Sequence, residues 1–190
     1  MIKFPDFIKP FPSQPNDPPN CKNFAALKRD SFNLFLRYFP ILEKYANPYD
    51  ERQVIDETHR QLEEDQGLIE VEKGTTKKGL KYIAVITKSY MGQEYGVQYF
   101  LRINVFDNLK YGWVEEIDAF FGEEGAIGQR DAIIMAAIGM PKDWMQDPYD
   151  NTYTKGIRMN KSEDKRFDSK FPYHPLSQAR QFLTFIKESN

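Results

Sequence analysis

The stretch that decides the fold runs from Leu68 to Phe121 and reads LIEVEKGTTKKGLKYIAVITKSYMGQEYGVQYFLRINVFDNLKYGWVEEIDAFF. It holds four apolar segments, and the first alternates apolar and polar side chains as a half-buried strand does. Short turns containing glycine or asparagine join the segments, whereas parallel strands need crossovers of about a dozen residues or more. We therefore predict an antiparallel β-meander with strands at 68–72, 80–90, 95–106 and 111–121.

The third predicted strand has two different faces. One face is wholly apolar, and the other carries Gln98, Phe100, Arg102, Asn104 and Phe106. Residues 80–90 also place apolar side chains on both faces. Such a sheet needs cover on both sides, so the sequence predicts an α+β fold with helices packed on each face.

Helices are predicted from a period of about 3.6 residues in the apolar side chains and from capping residues. Their predicted ranges are 24–46, 48–65, 129–139 and 175–189. In the first range Phe24, Leu27, Phe32 and Phe35 lie close to this period, and Pro40 is expected to kink or restart the helix. Residues 132–140 are almost wholly apolar and indicate a buried helix for the range 129–139.

Residues 1–22 are predicted to form a proline-rich extended arm, and residues 23–190 a single α+β domain. Phe4, Phe7 and Phe11 are the expected anchors of the arm. Three phenylalanines do not offset the cost of ordering about twenty residues, so we also expect the arm's backbone to pair with an exposed edge of the meander. Docking in cis would cover the fold, and docking on a second copy would make a homodimer.

Composition limits the class of protein. The 190 residues are 41% hydrophobic and 15% aromatic, which is typical of a globular chain. A formal net charge of −2 gives no reason to expect nucleic acid or an anionic membrane as a partner. A single cysteine, Cys21, cannot form an internal disulfide, and no run of about 18 apolar residues is present. We predict a cytoplasmic location.

Three segments carry a resemblance to known proteins. They read GLIEVEKGTTKKGLKYIAVITKS, GAIGQRDAIIMAAIG and DPYDNTYTKGIRMNKSEDKRFDSKFPYHPLSQAR. They resemble an uncharacterised family of soluble Firmicutes proteins, over most of residues 50–185. That family has no known activity, so the resemblance implies no functional residue. The order of predicted elements also resembles that of Mog1/PsbP-like domains.

The half-polar strand face is the first candidate site. It carries Arg102 and Asn104, and a four-residue turn at 107–110 would place Arg102 opposite Glu115. A three-residue turn would instead align Arg102 with Val114 and leave Glu116 diagonal. An interior arginine needs a partner, so we predict a salt bridge from Arg102 to Glu115 or Glu116.

Other candidate sites are weaker. Arg130 follows the glycine-rich segment 122–128 and could contact an anion at a helix start, although this segment matches no phosphate-binding fingerprint. Asp143, Asp147 and Asp150 could collect a hard cation, but their spacing is ordinary turn chemistry. The sequence shows no zinc cluster and no activated nucleophile. We therefore predict no metal, no cofactor and no catalytic residue.

Aromatic side chains in the irregular segment 141–173 indicate a different class of function. Trp144, Tyr149 and Tyr153 are of residue types enriched at interface hot spots. The sequence thus favours a non-enzymatic binding or protein-interaction domain. The alternative is a small-molecule-binding domain or an enzyme that uses the half-polar face around Arg102. A deep pocket containing Arg102 would favour the alternative, and a flat apolar surface made by the arm would favour protein interaction.

Overall fold

The computed structural model describes residues 2–17, 20–27, 33–42, 49–93, 96–108, 113–122 and 127–190. The strands are β1 (Lys9–Phe11), β2 (Lys22–Leu27), β3 (Asn33–Leu42), β4 (Gln66–Thr75), β5 (Lys81–Tyr90), β6 (Val97–Asn108) and β7 (Trp113–Gly122). The α-helices are α1 (Glu51–Gln61), α2 (Ile127–Ile138) and α3 (Pro175–Ser189). The strands form one sheet in the order β1-β2-β3-β7-β6-β5-β4, and all neighbours are antiparallel.

The predicted α+β meander is confirmed as strands β4 to β7. On the apolar face of β6, Tyr99, Leu101, Ile103 and Val105 are each at most 2% exposed. They share a core with α3, while α1 packs on the opposite face against β4 and β5. The prediction that helices cover both faces is therefore also confirmed.

The predicted helix over 24–46 is wrong, because its described residues form β2 and β3. Apolar residues occupy most positions of 33–42, and β3 lies inside the sheet between β2 and β7. A largely apolar run of this kind satisfies a helical period and a buried strand equally well. Residues 28–32 and 43–48, including the predicted N-cap Asn47, lie outside the described part of the chain.

Pro40 shows why a strand tolerates proline here. It pairs in register with Glu115 on β7, whereas the pairing of β3 with β2 ends at Tyr38. From residue 39 onward one side of β3 therefore has no β2 neighbour. Proline cannot donate to a ladder, and such an edge position requires no donation.

The other three predicted helices are confirmed with adjusted ends. Asp50 caps α1 by accepting from the Gln53 amide, and His174 caps α3 by accepting from the Leu176 amide. The expectation that α2 is buried is only half right. Ile134 is buried, but the exposed fractions of Ile133 and Met140 are 54% and 71%.

The arm docks on its own chain. Residues 9–11 pair with residues 23–25 of β2, so the acceptor is β2 and not the edge of the meander. Ile2 and Ile8 join the core under α3. The Asn190 side chain accepts from the Lys3 amide at 2.6 Å and donates to the Lys3 carbonyl at 3.1 Å. Hydrogen bonds thus join the N-terminal and C-terminal ends of the described chain.

Candidate functional site

The half-polar face of β6 is the floor of a pocket on the α1 side of the sheet. Strand alternation brings Gln98, Phe100, Arg102 and Asn104 to this floor. Helix α1 packs over β4, and the pocket opens beside it toward β6 and β7. Its volume of about 390 Å³ lies within the range of about 300–1,000 Å³ that is usual for small-molecule sites.

Most side chains that line this pocket carry a hydroxyl, amide or guanidinium group. They are Arg37, Thr58, Gln61, Leu62, Gln66, Val85, Thr87, Ser89, Gln98, Phe100, Arg102, Asn104 and Phe120. These residues come from β3, α1 and its C-terminal end, and β4 to β7. The site is therefore assembled from both halves of the sheet.

A row of three charged residues crosses the pocket floor. Asp118 on β7 lies directly between Arg37 on β3 and Arg102 on β6. Arg102 donates through Nε and Nη2 to the two Asp118 carboxylate oxygens at 2.9 and 3.2 Å. Arg37 Nη2 donates to Asp118 Oδ2 at 3.4 Å. The Asp118 side chain is buried, whereas about a third of each arginine side chain is exposed, so one carboxylate holds two accessible guanidinium groups in place.

The main partner of Arg102 is therefore Asp118, and not the predicted Glu115 or Glu116. Arg102 Nε also lies 3.6 Å from Glu116 Oε2, which agrees with the Glu116 alternative of the prediction. Both predicted registers are wrong, because β6 extends to Asn108 and the register shifts between Val105 and Asn108. The Glu115 side chain lies outside the described residues.

Two phenylalanine rings lie beside the charged row. Phe100 and Phe120 are half-buried, and their ring centroids are 4.9 Å apart. The Arg37 guanidinium carbon lies 5.6 Å from the Phe120 ring centroid, and that of Arg102 lies 5.3 Å from the Phe100 centroid. Cation–π contact of this kind further fixes the guanidinium groups. The floor thus combines an aromatic surface with oriented hydrogen-bond donors.

Arg130, the predicted anion contact, lies elsewhere and is fully buried. Its Nε donates to the Ser162 carbonyl at 2.7 Å, and its two other nitrogens donate to Ser177 Oγ and Asp168 Oδ1, each at 3.0 Å. These acceptors fix α2 both to residues 162–168 and to α3. Arg130 is therefore placed as a structural residue, and segment 123–126 lies outside the described chain.

The three predicted aromatic contacts are also separate from the pocket. Trp144 is buried with Ile134 and Phe167 beneath α2. The Tyr149 hydroxyl bonds to the main chain of β4. Tyr153 stacks on His59, with ring centroids 4.3 Å apart. Each of the three attaches segment 141–173 to the rest of the fold.

The predicted arm anchors divide into inward and outward side chains. Phe4 is half-buried, with its ring centroid 5.1 Å from that of Phe24. Phe7 and Phe11 are exposed, although Phe11 meets the edge of the Phe35 ring at 5.8 Å. The most buried side chains of the arm are Ile2 and Ile8, which point into the core although the phenylalanines are larger.

The structure contains a buried ionic cluster that the sequence patterns did not predict. Lys88 on β5 donates to Glu163 Oε2 at 2.8 Å, and the Tyr99 hydroxyl donates to Glu163 Oε1 at 2.7 Å. Burial, followed by the charge of Glu163, raises the pKa of Tyr99 well above its usual value. A lysine on an otherwise apolar strand face was the available signal, because such a residue requires a partner.

The aspartates predicted as possible cation ligands contact other protein groups. No group of three or more His, Cys, Asp or Glu side chains in the described ranges is placed to hold a metal ion. Asp143 contacts Lys161, and Asp147 Oδ2 lies 2.9 Å from His59 Nε2. The aspartates considered for a cation are therefore engaged with the protein itself.

No family model and no curated protein matches the chain. The resemblance to the Firmicutes family thus stays a prediction. Among solved structures, the solution structure of cyanobacterial PsbP (CyanoP) from Synechocystis is similar at 13% identity and a TM-score of 0.42. The match covers 72% of this chain and 81% of that chain. Among the described residues, no helix is both long and apolar enough to cross a membrane.

Proposed function

We propose that this chain is a non-enzymatic domain that binds a small molecule in the pocket over β6 and β7. The observation that carries the proposal is the convergence of polar groups around Arg102 in a cavity of about 390 Å³. Pockets with an apolar surface and a few oriented polar groups are the usual form of ligand sites. The half-polar strand face supplies both parts.

The lining chemistry supports binding over catalysis. Among the described residues that line the pocket surface there is no His, Cys, Lys, Asp, Glu or Tyr. The carboxylates beneath that surface, Asp118 and Glu116, are each 1% exposed and accept hydrogen bonds from Arg102 and Asn104, respectively. General acid–base catalysis needs a titratable group within hydrogen-bond reach of the reacting atom. The guanidinium groups of Arg37 and Arg102 offer hydrogen-bond donors and no acceptor, so they can orient a ligand by donating to it.

A fragment screen by ligand-observed NMR tests the proposal. Ser89 lines the pocket, so the larger side chain in Ser89→Phe should fill it. The affinity for the fragment hits should then fall at least tenfold. Ser169→Phe is the matched control, because Ser169 is exposed in the 3₁₀-helix Lys165–Lys170 and does not line the pocket. An amide NMR spectrum confirms that both variants fold. If no hit is sensitive to Ser89→Phe, the pocket is not a binding site.

A second candidate function is self-association through α2. Ile133, Ile138 and Met140 are exposed, and no charged residue lies between Ala132 and Met140. Two copies of such a face bring no like charges together, which permits a symmetric contact. Light scattering compares the wild type with Ile133→Glu. A monomer at all concentrations in the wild type would exclude this candidate.

A further inference from the structure

We infer that the ligand of this pocket is an uncharged, hydroxylated ring compound with one apolar face. Sugars and nucleosides share this chemistry. The inference rests on the proposed function, and three properties of the pocket carry it: its charge balance, its neutral polar wall and its aromatic floor.

The ionic groups at the floor balance one another. Arg37 and Arg102 contribute two positive charges, and the buried carboxylates of Asp118 and Glu116 contribute two negative charges. An ionic ligand would lose its hydration on entering this site. These four groups carry no net charge that would compensate for that loss. Because desolvating an ion is costly, an uncharged ligand is favoured.

The wall of the pocket is polar without being charged. Thr87, Ser89 and Gln98 line it from the sheet, and Gln61 lines it from α1. Hydroxyl and amide groups both donate and accept hydrogen bonds, which matches the hydroxyl groups of a ligand that do the same. On the floor, Asn104 Nδ2 donates to Glu116 Oε2 at 3.0 Å, so the Asn104 amide has a fixed orientation.

The aromatic floor fits the apolar face of a ring. Phe100 and Phe120 are adjacent, half-buried and lie within the pocket. Stacking on an aromatic side chain contributes about 1–3 kcal/mol for a nucleobase. The apolar face of a sugar can make the analogous contact with the same rings. The volume of about 390 Å³ sets the size at one or two rings.

Amide NMR titration of the full chain tests the inference. The uncharged probes are methyl α-D-glucopyranoside, methyl α-D-galactopyranoside, adenosine and uridine, and the charged probes of similar size are benzoate and benzylamine. We expect at least one uncharged probe to shift the amides of residues 98–104 with saturation. Gln98→Ala should weaken that binding about 5–30-fold, the loss of one or two hydrogen bonds. Gln178→Ala, at a half-buried position on α3, is the control.

The two pairs of uncharged probes separate a saccharide site from a nucleoside site. The inference is overturned if none of the four binds at residues 98–104, or if a charged probe binds there more tightly. In either case the fragment screen decides the proposed function separately. Hits sensitive to Ser89→Phe would preserve the pocket as a binding site with a different ligand class.

Discussion

The Tyr149 hydroxyl forms hydrogen bonds with both main-chain groups of Val71. It accepts from the Val71 amide at 2.5 Å and donates to the Val71 carbonyl at 3.1 Å. Val71 lies on β4, which is the last strand of the sheet. A single side chain thus occupies the position where a further strand would pair, and it blocks an edge that could otherwise recruit another chain.

Tyr149→Phe should expose that edge while keeping the ring in place. The two lost hydrogen bonds predict a decrease of about 1–3 kcal/mol in the free energy of unfolding. Urea unfolding measures this change, and hydrogen exchange should show faster exchange of the Val71 amide. Tyr173→Phe is the control, because Tyr173 is 68% exposed. Equal exchange at Val71 in the wild type and Tyr149→Phe would contradict the proposed edge protection.

Glu163→Gln should lower the free energy of unfolding more than a Glu→Gln substitution at an exposed position. The change leaves the Lys88 ammonium, 2.8 Å away and only 3% exposed, without its counter-charge. Removing one partner of a buried pair costs about 3–5 kcal/mol. The double variant Glu163→Gln with Lys88→Met should be more stable than Glu163→Gln alone. Thermal and urea unfolding of the wild type, both single variants and the double variant measure the coupling, and additive effects would disprove it.

His174 should make the fold sensitive to mild acid. Burial, aided by the charges of Arg130 and Arg180, lowers the pKa of His174 to about 3, against 6.5 for the unfolded side chain. Below pH 6.5 the unfolded state binds a proton that the native state does not, so stability falls as the pH falls. The loss reaches about 2 kcal/mol at pH 5.

The variant His174→Asn isolates this effect. Asparagine can still accept from the Leu176 amide, as His174 Nδ1 does at 3.3 Å, but it does not titrate. Urea unfolding at pH 7 and pH 5 should therefore show a smaller loss for the variant than for the wild type. Identical losses would mean that other groups cause the acid sensitivity.

Truncating two neighbouring residues of the arm, Phe7 and Ile8, should lower the free energy of unfolding by very different amounts. Ile8→Ala removes a core side chain and should cost about 2–5 kcal/mol, whereas Phe7→Ala changes an exposed one and should cost less than about 1 kcal/mol. Deleting residues 2–20 should lower the melting temperature and leave the oligomeric state unchanged, because the arm pairs with its own β2. Loss of a dimer on deletion would instead show docking between copies.

Local sequence patterns predicted the meander but not the strands that extend it. The alternation in β6 is visible because one face is apolar and the other is half polar. In β3 apolar residues fall on both faces, with Arg37 within the run, so the alternation that identifies a strand is absent. Residues 9–11 gave no strand signal at all, because prolines flank and interrupt them and only pairing with β2 makes them extended.

The same limit applies to the pocket. Arg102 and Asn104 were found because polar side chains on a central strand require an explanation. Arg37 was not, because it meets Asp118 across 81 positions of sequence and no local pattern marks such a pairing. The register of β6 and β7 also differed, because β6 ends two residues later than predicted, at Asn108. Ion pairs between strands that are distant in sequence depend on the order of strands in the sheet, and local sequence patterns do not predict that order.

The pairing of β3 with β7 has a consequence for biosynthesis. The segment that holds β3 leaves the ribosome well before the segment that holds β7, with about 80 residues between them. At about 5–20 residues per second, that interval lasts about 4–16 s. Throughout it the nascent chain presents an apolar strand segment whose central partner has not been made. This interval is when the growing polypeptide most needs a chaperone, and slowing translation after residue 42 should lengthen its exposure.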